Sequence, residues 1–190
     1  MKAWFHRTAT TLTLLLLPLA ATAAAAPGGP TRGPEQKLLW KIHQTNLAEM
    51  KAGEIAQTKG ESVKVREYGR RLYNDHHFAD EKITALAAGK GIALTPPKHP
   101  TLEEKNREAQ HGEVMHHLQQ VKGRTFDVDF LAAMVDGHKQ AISLLSAEVK
   151  TLPDADVRAL VEHLIPILEQ HETIAENLQR EEPAGATGGT

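Results

Sequence analysis

The sequence predicts an all-α fold, an antiparallel four-helix bundle with one short crossing helix between the second and third long helices. Three observations predict it. Ala, Leu, Glu, Lys and Gln dominate and aromatic residues make up only 4% of the chain, and no run alternates with period two for long enough to form a strand. Four stretches carry apolar residues at the spacing of one helix face. The links at 60–61 and 151–153 are so short that they must close helical hairpins.

Residues 1–23 read as a secretory signal peptide. Lys2 and Arg7 supply the charge, Leu12 to Leu19 the apolar run, and Ala21-Thr22-Ala23 a small-x-small cleavage site after Ala23. The apolar run is short and broken by Pro18, so it does not read as a transmembrane span, and no other segment does. The mature chain is expected to be exported, to the periplasm or beyond. There is no cysteine, which excludes disulfides and thiolate metal sites. Loss of Lys2 and Arg7 moves the net charge from −2 to −4, against a nucleic-acid footprint.

Residues 24–34, rich in Pro and Gly, read as a linker, 35–180 as one bundle domain, and 181–190 as a disordered polar tail. The first helix is expected from about Glu35 to Lys59, stopped by Gly60. The second starts near Ser62 and ends at Gly89-Lys90-Gly91, a C-cap pattern. Pro96, Pro97 and Pro100 stiffen the next connection, and Thr101-Leu102-Glu103-Glu104 matches a capping box that opens the crossing helix, to about Lys122. Thr125 is the expected N-cap of the third long helix, which runs to about Lys150. Asp154 caps the fourth, which ends near Arg180. Pro166 lies on the outer face of that fourth helix and is expected to kink it one turn before His171. The crossing helix is expected to join the two hairpins across the far end, with both short turns together at the other end.

Three helices carry a histidine at the centre of the apolar stripe. The stripes are Val65, Tyr68, Leu72, His76, Ala79, Ile83; then Leu131, Met134, His138, Ala141, Leu145; then Leu160, Leu164, Leu168, His171, Ala175. An imidazole fills a core poorly, because its donor and its acceptor both need partners. With the short turns at one end, the three histidines fall within about 6 Å of one height at ~1.5 Å per residue. Glu49 adds a polar side chain from the first helix, about one turn away. The set His76, His138, His171 and Glu49 is therefore a candidate transition-metal site, with imidazole suited to zinc, copper, nickel or iron and Met134 leaning towards copper. Asp75 and Asp127 are weaker candidates for supporting positions around it. Asp75 points towards a neighbouring helix, and Asp127 is placed near its own helix N-terminus, where a carboxylate is favoured. A structural network of buried histidines and carboxylates that fixes bundle register explains the same pattern without metal. The pairs Glu108/His111 and Glu113/His116 on the crossing helix diverge around its axis and read as a solvated face.

The runs Glu49 to Gly53, Tyr68 to His76, Phe126-Asp127 with Met134 to His138, and Leu164 to His171 resemble a family of exported bacterial proteins, domain-of-unknown-function family 4142. The resemblance covers about residues 38–178. It implies a ferritin-like four-helix bundle and an exported location, and it implies no activity. The paired inward glutamates of a ferroxidase are missing, and no nucleophile with an adjacent base is visible. The chain is therefore expected to be non-catalytic, with a role in metal handling or envelope stress. The alternative is a structural or partner-binding bundle, its partner an envelope protein.

Overall fold

The computed structural model describes residues 33–181. They form five helices and no strand: α1 (Gly33–Lys59), α2 (Val63–Gly89), α3 (Leu102–Gln120), α4 (Gly123–Glu148) and α5 (Ala155–Glu181), with a 3-10 turn at Val149–Thr151. The all-α bundle is as expected. The signal segment 1–23, most of the linker and nearly all of the polar tail lie outside the described residues. No described helix is long and apolar enough to cross a membrane.

The signals at α3, α5 and the end of α2 act as the sequence implies, whereas the expected cap Thr125 lies inside α4, which starts at Gly123 after an N-cap at Lys122. Thr101 Oγ1 accepts from the Glu104 amide at 3.2 Å while the Glu104 carboxylate accepts from the Thr101 amide at 2.8 Å, closing the capping box of α3. Asp154 Oδ1 accepts from the amides of Asp156 and Val157, at 3.0 and 3.1 Å, and opens α5. Gly91 takes a φ of 64° after α2, and the Ile92 amide turns back to the Ala87 carbonyl at 2.8 Å.

α1 pairs with α2 and α4 with α5; the hairpins then join along α2 against α5 and α1 against α4. The α1–α2 seam is very close. A Cβ on Gly53 would lie 2.5 Å from the Gly69 carbonyl oxygen, and one on Gly69 would lie 2.6 Å from the Ala56 Cβ. Only glycine lets these backbones meet.

The placement of the turns differs from the expectation. Asp127 at the start of α4 accepts the amides of Glu61 and Ser62, at 2.9 and 2.7 Å, so α4 begins where α2 begins. Lys64 pairs with Glu181 at 2.6 Å, bringing the last turn of α5 to that end. Lys90, beyond α2, pairs with Asp154 and Asp156 at 2.8 and 2.7 Å. The two short turns therefore sit at opposite ends, and α2 and α4 run parallel. α3 makes this possible by travelling the length of the bundle instead of crossing one end. Its first turn is held by Lys37 and Lys41 of α1, at 2.8 and 2.9 Å from Glu104. Its last carbonyls, of Leu118, Gln119 and Val121, accept from Lys59 at the other end of α1. A helix of 19 residues spans about 28 Å, enough for the return.

The apolar core has two halves. One, around Leu39, Ile83, Leu145 and Val161, fills the Asp154 end. The other, around Leu72, Phe126, Phe130 and Leu131, fills the Glu61 end. Between them every core helix presents a buried polar side chain: Asn46 and Glu49 from α1, His76 from α2, His138 from α4 and His171 from α5. Pro166 faces solvent from within α5, and its missing N–H leaves the Glu162 carbonyl without its helical donor.

Candidate metal centre

The polar layer gathers three imidazoles. One ring nitrogen from each of His76, His138 and His171 lies within 4.8 Å of the others. Ring centroids are 5.2 Å apart for His76–His171 and for His138–His171, and 5.9 Å apart for His76–His138. Levels match because α2 and α4 leave the same end: His76 lies fifteen residues beyond Glu61, and His138 fifteen beyond Gly123. From the Lys64–Glu181 pair, His76 is twelve residues along α2 and His171 ten residues back along α5.

The outer nitrogen of each ring meets an acceptor. His138 Nδ1 lies 2.7 Å from the Met134 carbonyl, which can only accept, so that nitrogen carries the proton. His76 Nδ1 donates to Asn46 Oδ1 at 3.0 Å. His171 Nε2 lies 2.9 Å from the Asp75 carboxylate. Burial holds His76 well below the ordinary histidine pKa, and the neighbouring His171 and His138 add to this. Burial also pulls His171 down to about 4, against the opposing pull of Asp75. Both rings are therefore neutral near pH 7. A neutral His171 has one proton, and the carboxylate claims it at Nε2. Its Nδ1 lone pair then faces the His138 Nε2 lone pair at 3.3 Å. His76 Nε2 is buried and has no hydrogen-bond partner among the described residues. Each ring is thus oriented through one nitrogen by an acceptor, the arrangement that tunes metal-binding histidines.

The other expected residues divide. Glu49 is buried beside α4, where Gly137 leaves room: a Cβ there would lie 3.9 Å from Glu49 Oε1. Its Oε2 has no partner, and its oxygens are not among the atoms that close on one another. Asp75 stands at the rim, bonded to His171 and, at 3.3 Å, to Arg71. Asp127 does not join the histidines. Both its oxygens are taken by the Glu61 and Ser62 amides, a full core half away, where it holds the α1–α2 turn just before α2; the Ser62 side chain makes no capping bond. Tyr68 also supports the layer, donating its hydroxyl to the His171 backbone carbonyl at 3.0 Å. Burial, with the Glu49 carboxylate nearby, raises its pKa, so it stays a donor. Sequence reasoning missed Asn46. Its signal was its place on the α1 stripe, four residues after Ile42 and three before Glu49.

No curated protein matches the chain at a significant level. Among solved structures, the chain is similar to a DUF305 protein from Streptomyces coelicolor, described as secreted. That likeness has a TM-score of 0.61 at 12% identity, and covers 82% of this chain and 96% of that one. It shows a shared helical fold. Residues 19–178 match the family described as Domain of unknown function (DUF4142). With most of its length inside that match, the chain belongs to the DUF4142 family.

Proposed function

We propose that this protein is an exported, non-catalytic helical bundle that holds one transition-metal ion between His76 Nε2, His138 Nε2 and His171 Nδ1. The observation that carries the proposal is the buried His76 Nε2, which has no hydrogen-bond partner while its Nδ1 is already spent on Asn46. A purely structural network would leave that atom uncompensated, at about 1–3 kcal/mol.

Two further features support it. Metal–nitrogen bonds of about 2.0–2.1 Å at tetrahedral angles hold donor atoms about 3.4 Å apart. His171 Nδ1 and His138 Nε2 already lie 3.3 Å apart. His76 and His171 bring no charge near pH 7, whereas Glu49 is a buried acid with no cationic partner among the described residues. A divalent ion in the layer compensates that carboxylate. Glu49 serves either as a fourth ligand after a rotamer change or as acceptor for a bound water, and Asp75 orients His171. Zinc, copper, nickel and iron all suit imidazole. Export rests on the signal-like residues 1–23 and on the secreted description of the DUF305 relative. These features support a role in metal handling or stress defence of the bacterial envelope.

The 3.3 Å His171–His138 contact favours a second reading, an internal polar network in which His171 carries both protons and bridges Asp75 to His138. Melting curves with zinc, copper, nickel and iron(II) separate the two. A metal that binds only the folded chain raises the melting temperature with concentration. His138→Gln is then expected to abolish the rise and cost the metal-free protein little. In the network reading the substitution costs about 1–3 kcal/mol with or without metal. A wild-type melting temperature unmoved by all four ions overturns the metal proposal.

A further inference from the structure

On the Asp154 side of the histidines, the bundle holds a partly open cavity of about 60 Å³ that borders the histidine layer. Its wall is almost wholly apolar, built by Ile42, Ala79, Leu145, Leu164 and Leu168. Its polar end is formed by Asn46, Asp75, His76 and His171. The Asn46 Nδ2 is buried and has no hydrogen-bond partner among the described residues. Towards the surface the cavity runs out between α1 and α4, where Thr45 is exposed and Lys41 and Leu144 are partly exposed.

Size and lining restrict what can occupy it. A single water needs about 10–15 Å³, and an apolar cavity of about 150 Å³ stays dry and takes benzene or xenon. A space of about 60 Å³ suits a guest of roughly two to four non-hydrogen atoms. Water is a poor filler, because most of the wall offers it no hydrogen bond. A charged guest loses its hydration, and the two charged side chains on the lining, Asp75 and Lys41, are already committed to His171 and to Glu104. An apolar molecule with one weak acceptor atom loses little, and that atom meets the unpaired Asn46 amide.

We infer that this cavity is a binding position for a small uncharged molecule of the dioxygen or nitric oxide class, held against His76 and His171. The gap between α1 and α4 is its route in. The cavity belongs to the metal-free chain, so this inference stands or falls apart from the metal proposal.

Two measurements on the metal-free protein test it. Crystals pressurised with xenon are expected to show one buried xenon atom between Ala79 and Leu168. Dissolved dioxygen is paramagnetic, and is expected to relax the methyl groups of Ile42, Leu145 and Leu164 several-fold more than those of Leu72 and Leu131 in the other core half. Ala79→Leu, which fills the space from α2, is expected to remove both effects. Ala141→Leu fills it from α4 and serves as the second variant should the first fail to fold. Absence of xenon density, ordered water filling the cavity, or equal dioxygen effects in the two halves overturns the inference.

Discussion

Asp75 on α2 and His171 on α5 meet at 2.9 Å, and that contact fixes which nitrogen of His171 faces the other two imidazoles. Asp75 opposes the lowering of the His171 pKa by burial. Asp75→Asn is therefore expected to push that pKa further down, readable by NMR titration of the imidazole. If metal binds as proposed, the same change weakens it about 10–100-fold, the usual effect of losing the partner that orients a ligand. An unchanged affinity and an unchanged titration would leave Asp75 without a role in the layer.

Acid should destabilise the metal-free protein well before its carboxylates titrate. The folded pKa values of His76 and His171 lie below the ordinary 6.5, so the folded state binds fewer protons than the unfolded chain. Their contribution is complete above about pH 6.5 and declines as the pH falls. For His171 the loss reaches about 3 kcal/mol once the pH is below about 4. Urea unfolding at pH 7.5 and pH 5 measures the trend, and His171→Gln is expected to flatten it. A wild-type stability equal at the two values contradicts the neutral assignment.

Glycine to alanine should act in opposite directions on α1 and α3. At Gly53 the new Cβ meets backbone at 2.5 Å, which forces α1 off α2 and costs about 1–3 kcal/mol or more. At Gly112 it meets nothing within 4 Å, and helix propensity alone gives about 0.5–1 kcal/mol of stabilisation. Thermal unfolding of the two single variants decides the matter. Equal effects would mean that the α1–α2 seam is looser than described.

α3 rests on one buried apolar residue, Leu118, and on ionic contacts at its ends. Leu118→Ala is expected to cost about 2–4 kcal/mol. Glu104→Gln, which weakens two surface ion pairs, is expected to cost under about 1 kcal/mol. Hydrogen exchange should find the α3 amides opening first, and faster as salt rises. Protection in α3 equal to that in α2 would refute this.

The helices and the three histidines were legible because both depend on one periodicity. A residue at the stripe centre faces the axis whatever the topology, so His76, His138 and His171 were bound to point inwards. What the residues do not encode locally is which end each helix starts from. The stretch from Gly91 to Lys122 is long enough either to cross one end or to return along the bundle, and contacts distant in sequence, such as those of Asp127 with Glu61 and Ser62 and of Lys90 with Asp154, decide it. The Asp127 contacts explain why Asp127 reads as a cap on its own helix: the turn it serves lies more than sixty residues earlier in the chain. Asn46 was within reach of the wheel, but a lone amide beside the uncharged polar Gln44 and Thr45 gave no reason to choose it.

The parallel course of α2 and α4 makes the level of the histidines a matter of counting from one shared end. Insertions or deletions between Gly91 and Thr101, or in the Val149–Thr151 turn, change the length of the chain without changing that count. One residue added between Glu61 and His76, or between Gly123 and His138, lifts an imidazole by about 1.5 Å and turns it about 100° off the axis. Length variation within this fold is thus confined by geometry to the Asp154 end and to the link before α3, and the stretches leading from the Glu61 end to the histidines behave as a ruler of fixed length.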